Sequence, residues 1–222
     1  MTHPYPGIFI SLEGPDGAGK TTQLKLLSKH LELFGHRHIV TRDPGGTALG
    51  RQIRRILLKP ENPVDPVTEL LLYQADRAQH VNELIIPSLK AGLIVLCDRF
   101  IDSTIAYQGY GRALDLDLIN ELNQIATGGL LPQLTILFDI DSNSGLSRLH
   151  PSGQDRIEQE SIDFHHRVRE GYLKTASQDT QRWRTIDATK PMAVVQEQLR
   201  RLIFERFQIS GLLEQSPLTE SI

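Results

Sequence analysis

A ten-residue run near the start, Glu13-Gly14-Pro15-Asp16-Gly17-Ala18-Gly19-Lys20-Thr21-Thr22, constrains what this chain can fold into more than any other feature. It directly follows Gly7-Ile8-Phe9-Ile10-Ser11-Leu12, an apolar run that reads as a buried strand. It precedes Gln23-Leu24-Lys25-Leu26-Leu27, where apolar residues begin to recur at helical spacing. Gly14-x4-Gly19-Lys20-Thr21 is therefore a phosphate-binding loop in its strand–loop–helix setting, and a mere glycine-rich turn is the weaker reading. Glycines let the backbone curl until successive N–H groups point inward, and the new helix adds its positive end. Gly14, Pro15, Asp16, Gly17, Ala18, Gly19, Lys20 and Thr21 are assigned to this cradle. Lys20 can reach β/γ-phosphates there, and the Thr21 hydroxyl can join a Mg²⁺ shell.

The rest of the chain is read for what surrounds such a loop. At 222 residues it is long enough for one α/β domain with a substantial core, expected over residues 1–207. A net charge of −3 argues against a sequence-independent nucleic-acid binder, which carries a basic footprint. No apolar run approaches a membrane span, and Met1-Thr2-His3-Pro4-Tyr5-Pro6 lacks the features of a signal peptide. Cys97 is the only cysteine, so no intrachain disulfide forms and a reducing cytoplasm fits. It follows Gly92-Leu93-Ile94-Val95-Leu96 and reads as a packed strand residue rather than a nucleophile. The eight histidines show no zinc-ligand spacing.

Strand-like and helix-like segments alternate. Strands are expected at residues 8–13, 38–42, 93–98, 134–139 and 183–186. Helices are expected at about 20–34, 48–58, 67–90 (with a kink or split at Pro87), 102–128, two between 142 and 178, and 192–207. Residues 208–222 read as a weakly ordered tail. Such alternation implies a parallel sheet flanked by helices, with ligands outside the carboxyl ends of its strands. The residues there fit that expectation. Asp16, Arg42-Asp43-Pro44-Gly45-Gly46-Thr47, Asp98-Arg99, Asp139 with Asp141, and Asp187-Ala188-Thr189-Lys190 each follow an apolar strand.

Four motifs occur in order: Gly14 to Thr22 as above; Thr41-Arg42-Asp43-Pro44-Gly45-Gly46-Thr47; Asp98-Arg99-Phe100-Ile101-Asp102-Ser103-Thr104-Ile105-Ala106-Tyr107-Gln108-Gly109; and Asp155-Arg156-Ile157-Glu158. Through them the chain resembles the bacterial thymidylate kinase family over about residues 7–207. The resemblance implies a P-loop kinase fold with a five-stranded parallel sheet, a short mobile lid at about 146–160, Mg²⁺-ATP as donor, dTMP as acceptor and commonly a homodimer. It further implies that Arg54 contacts the acceptor phosphate, that Tyr73 stacks on thymine and that Arg77 bonds a thymine carbonyl. Ser103, Thr104 and Gln108 match polar positions around the base; Tyr107 would lie near C2′ and Asp16 would accept from the 3′-OH. Asp43 is a candidate for positioning acceptor or metal.

The chemistry of these residue types can be argued without the resemblance. Phosphoryl transfer needs cations, backbone donors and alignment around a group whose charge spreads over its oxygens. Arg99 can take two phosphate oxygens bidentately, as lysine cannot, and its neighbour Asp98 can meet the Mg²⁺ shell. Tyr73 and Arg77, four residues apart, share one helix face. The resemblance adds that Gly17 stands where some relatives carry a loop arginine, which implies that the further transition-state cation comes from the lid, with Arg148 and Arg156 as candidates. Catalytic roles thus fall to Lys20, Arg99, Arg148, Arg156 and Asp16, while Tyr172 and Phe164 read as packing residues. A regulatory GTPase would need an Asn-Lys-x-Asp motif, which the chain lacks. A kinase for another nucleoside monophosphate, or a non-catalytic ATP-binding module, remain the alternatives.

Overall fold

The computed structural model describes residues 3–149 and 153–214. At its centre lies a sheet of five strands: β1 (Ile8–Glu13), β2 (His38–Arg42), β3 (Ile94–Asp98), β4 (Leu134–Asp139) and β5 (Trp183–Asp187). They are all parallel and ordered β2-β3-β1-β4-β5, so the phosphate-binding loop leaves the central strand. Parallel strands covered on both faces read as continuous apolar runs, and β1, β3 and β4 obey this.

Strand residues alternate between two helical layers. Ile10 and Leu12 of β1 pack against α1 (Lys20–Leu33) and α9 (Met192–Phe207), where Leu24, Leu27, Leu31, Leu199 and Ile203 are buried. Phe9, the residue before Ile10, faces the opposite layer with Val81, Ile85, Val95 and Phe100. That layer is completed by Tyr107, Leu137 and Trp183 packed on Phe164, Val168 and Tyr172 of α8 (Ile162–Gln178). Each fully buried Leu, Ile or Phe contributes roughly 1.5–3 kcal/mol.

Helix starts follow capping chemistry. The Thr47 hydroxyl accepts from Gly50 N at the start of α2 (Ala48–Leu58), and Asp65 accepts from Val67 N before Pro66 opens α3 (Pro66–His80). Asp115 and Ser161 cap α6 (Leu116–Thr127) and α8 in the same way.

Three segments differ from expectation. First, α3 does not stop at Pro87: it passes through a π-helical turn, Val81–Ile85, into α4 (Ile86–Lys90). A wider turn just before proline relieves the clash between its ring and the carbonyl four residues back. Second, the helical region expected over 102–128 is broken. Here α5 (Ile101–Thr104) runs into a π segment, Ile105–Gly111, and Ala113 at φ 58° turns the chain before α6. Gly111 is needed at the close approach, because a Cβ there would meet the Phe164 ring at 2.6 Å. Third, residues 208–214 are packed rather than weakly ordered. Ile209 and Leu212 enter the core beside α1 and α9, and Arg200 Nη1 donates to Glu214 O at 2.8 Å. Residues 215–222 of the expected tail, and residues 150–152 of the expected lid, lie outside the described residues. Between β4 and that lid lies α7 (Ser142–Ser147). Among the described residues no helix is long and apolar enough to cross a membrane.

Candidate active site

The carboxyl ends of β1, β2 and β3 open into one cleft of about 510 Å³. It is lined by Asp16, Gly17, Gly19, Lys20 and Thr21 of the glycine loop, and by Asp43, Arg54, Tyr73 and Arg77 from the β2–α3 side. Asp98, Arg99, Ser103, Thr104, Tyr107 and Gln108 line it from β3 onward, with Arg148 and Asp155 at its rim. Gly14, Pro15 and Ala18 shape the loop behind this surface. Gly14 at φ 137° leaves no room for a Cβ against the Phe138 carbonyl, so the loop lies tightly on β4.

Lys20 begins α1 directly after Gly19, and its ammonium folds over the loop. Its Nζ donates to Gly14 O at 2.8 Å and to Pro15 O at 2.7 Å. Burial, and then the Arg99 charge, lower its pKa to about 8. The Thr21 hydroxyl donates to Asp98 Oδ2 at 2.7 Å, across the β1–β3 pairing that sets Leu12 opposite Asp98.

Arg99 adopts φ 71°, a left-handed conformation that costs a non-glycine residue about 1–3 kcal/mol. Many contacts hold it there. Its N–H donates to Leu12 O at 3.0 Å, Nη1 donates to Gly14 O at 2.9 Å and Tyr172 OH at 2.9 Å, and Nη2 donates to Asp16 Oδ1 at 2.6 Å. The other Asp16 oxygen accepts from Tyr107 OH at 2.7 Å, and the Tyr107 ring lies 4.9 Å from the Arg99 guanidinium carbon. Burial opposes the Asp16 charge, but Arg99 and Lys20 hold its carboxyl below the usual range. Lys20 and Arg99 thus meet on one acceptor, the carbonyl of Gly14.

On the other wall, Arg77 is wholly buried and pairs twice with Asp43, each bond 3.0 Å long. Its remaining N–H groups reach Thr104 and Asn123, each at 2.9 Å, and Phe100 O at 3.3 Å. Every guanidinium nitrogen of Arg77 therefore has a protein acceptor, and the Thr104 hydroxyl keeps a proton to donate into the cleft. Arg54 reaches over the Asp43-Pro44 turn, Nη1 donating to Pro44 O at 3.0 Å.

Two lid arginines part ways. Arg148 stays at the rim and donates to Ala188 O at 3.0 Å, beside the loop after β5. Arg156 does not line the cleft, contrary to its expected catalytic place. Its Nε donates to Leu57 O at 2.8 Å and its Nη2 to the buried Glu69 carboxylate, which captures the guanidinium from below.

Several supporting residues escaped sequence reading. Glu13 is fully buried and accepts from Phe100 N at 2.7 Å, Ser103 Oγ at 2.6 Å and Tyr172 OH at 3.0 Å. Burial and nearby Asp102 push its carboxyl up to about 7. Tyr172 is a packing residue, as expected, but its hydroxyl also props Arg99. Asp43, Asp76 and His80 bring ligand-type atoms within 4.8 Å of one another, although Arg77 already neutralises Asp43 there. The available signals were a carboxylate closing an apolar strand and an Asp-x3-His pair on one face of α3.

A five-stranded parallel sheet with a glycine loop after its central strand, facing a guanidinium-lined wall across the same cleft, defines a P-loop phosphotransferase. A family model described as Thymidylate kinase matches residues 12–199. The chain is 52% identical over 185 residues to the thymidylate kinase of Carboxydothermus hydrogenoformans, covering 83% of this chain and 90% of that one. It is 47% identical over 208 residues to the thymidylate kinase of Exiguobacterium sp., covering 93% and 98%. The crystal structure of thymidylate kinase from Ehrlichia chaffeensis superposes with a TM-score of 0.75 at 35% identity, covering 89% of this chain and 98% of that one. The chain belongs to the thymidylate kinase family.

Proposed function

We propose that the cleft seats ATP on the glycine loop and dTMP against the arginine wall, so that the γ-phosphoryl group passes directly in line between them. Membership of the family carries the reaction itself, the ATP-dependent phosphorylation of dTMP to dTDP. The single observation that best supports the residue-level reading is the shared Gly14 carbonyl, where the loop cation Lys20 and the strand-end cation Arg99 converge. Two polyanions meeting there would each displace a cation from a weak neutral acceptor.

In this reading the loop from Asp16 to Thr21 supplies backbone donors to the triphosphate, with Gly14 and Pro15 shaping it, and Lys20 follows the transferring group. Arg99 takes the acceptor phosphate bidentately, with Arg54 on its far side, and Asp16 accepts from the 3′-OH. Tyr73 stacks on the base, while Thr104, Ser103 and Gln108 meet its polar edge. Arg77 orders that wall through Asp43 and shares its N–H groups with a base carbonyl. The Tyr107 ring crowds C2′. Arg148 supplies rim charge as the described lid residues, 146–149 and 153–160, close over ATP, excluding water.

Thr21 Oγ1 and Asp98 Oδ2, adjacent at the carboxyl end of β3, form the hard-oxygen set that suits Mg²⁺, which would neutralise phosphate charge when bound. A homodimer is part of the proposal. Its support is the exposed apolar side chains Val67 and Leu71, one turn apart on α3, and Leu118 and Ile125, two turns apart on α6. Cytoplasmic residence is proposed on the free, buried Cys97 thiol.

A coupled assay of ADP formation across a panel of nucleoside monophosphates tests the substrate assignment. dTMP is expected to give the highest kcat/KM. A preference for a purine nucleotide would overturn the acceptor-site reading.

A further inference from the structure

Glu69, in the first turn of α3, is fully buried and does not line the nucleotide cleft. Its Oε1 accepts from Gln108 Nε2 at 2.7 Å and Arg112 Nε at 3.2 Å. Its Oε2 accepts from Arg112 Nη2 at 3.1 Å and from Arg156 Nη2. Burial alone would push the Glu69 carboxyl up, but bonds from Arg112 and Gln108 win and hold it below its ordinary range. Flanked by two guanidinium groups, Glu69 is ionised, and an ionised carboxylate can only accept hydrogen bonds. Gln108 must therefore meet it with the NH₂ of its amide.

That requirement has a consequence on the other side of the amide. With the NH₂ committed to Glu69, the carbonyl Oε1 of Gln108 turns away, and Gln108 lines the cleft near Tyr73 and Thr104. Oε1 receives no hydrogen bond from any of the described residues, so it is a fixed acceptor in want of a donor. Thymine carries a ring N–H that donates, whereas cytosine has a bare ring nitrogen that accepts. A free glutamine amide could flip to suit either ring; this one cannot.

We propose that Glu69 is a positioning residue for base selectivity, pinning the Gln108 amide so that only its carbonyl oxygen is offered to the pyrimidine edge. Arg112 and Arg156 keep the carboxylate charged and thus acceptor-only. The inference rests on the reading of Gln108 as part of the base site.

The test compares kcat/KM for dTMP and dCMP in the wild type, Glu69→Gln, Glu69→Asp and Gln108→Ala. In Glu69→Gln the introduced amide can donate as well as accept, so Gln108 is free to flip. The dTMP-to-dCMP ratio should fall at least about tenfold, roughly one hydrogen bond's discrimination. Glu69→Asp keeps an acceptor-only charge and should hold the ratio within about twofold of wild type, even if its melting temperature drops. An equal loss for both substrates in Glu69→Gln, with an unchanged ratio, would make Glu69 merely structural and overturn the inference. So would an equal loss of selectivity in Glu69→Asp. If Gln108→Ala alters neither the KM for dTMP nor the ratio, the base-site reading itself fails. Should Glu69→Gln not fold, ¹⁵N-labelled wild type supplies the answer. The Gln108 side-chain NH₂ should exchange slowly with solvent in the free protein, and rapid exchange would overturn the proposal.

Discussion

Lys20 and Arg99 sit closer together than two cations would choose, and the surrounding residues show how this is sustained. Asp16 neutralises Arg99, two loop carbonyls solvate Lys20, and burial brings the Lys20 pKa down to about 8. Below that pH the ammonium is charged and can follow a phosphoryl group; above it the lysine is neutral. The kcat/KM for ATP, which reports the free enzyme, should therefore fall as pH rises through about 8. A level profile across that range would separate Lys20 from the chemistry. Lys20→Ala and Arg99→Ala should each lower kcat by about 10²–10³-fold while circular dichroism shows the fold intact. Near-normal turnover in both would remove their assigned roles. Glu13, pushed up to about 7, makes a different prediction. A carboxyl raised in the folded state adds stability that is full below its unfolded value and lost as pH rises through the folded one. Glu13→Gln should thus gain melting temperature relative to wild type as pH rises from about 4.5 to about 7, and a constant difference across that window would contradict it. Residues such as Lys20, Asp98 and Arg99 were legible in sequence because each follows an apolar strand, where geometry is dictated locally. Glu13, Glu69 and Tyr172 were not, because a buried carboxylate or hydroxyl acquires its meaning from partners far along the chain.

At the scale of elements, the sheet follows from the apolar runs and the helices from their caps. The strand bounds expected from sequence agree with the observed ones to within a residue or so. The π turns at Val81–Ile85 and Ile105–Gly111 were illegible, since they record packing against Pro87 and α8 rather than any local periodicity. The lid shows the same limit. Arg148 and Arg156 look alike in sequence, yet only Arg148 faces the cleft, because the buried Glu69 draws Arg156 beneath the α2–α3 connection. Arg148→Ala is expected to lower kcat more than it raises the KM for ATP; a pure KM effect would mean that Arg148 only docks the nucleotide. Arg156→Ala should instead speed amide hydrogen exchange across residues 153–160. Unchanged exchange there would show that Glu69 does not anchor the lid segment.

The whole molecule joins a rigid sheet edge to walls supplied by helices on both of its sides. The exposed apolar side chains on α3 and α6 include Ile125 at 77% exposure, which would leave water if a second copy packed there. Ile125→Glu should convert a dimer to monomer in sedimentation equilibrium, and an unchanged mass would exclude that face. Family and fold were readable at this scale because several motifs recur in fixed order along the chain. The convergence of two cations on Gly14 O was not, since it depends on the left-handed turn at Arg99. Inhibition by adenosine joined to thymidine through an oligophosphate chain tests that convergence most directly, because one molecule would span both phosphate sites. The expected result is competition against ATP and against dTMP alike. Competition against only one of them would contradict a single cleft in which donor and acceptor meet head-on.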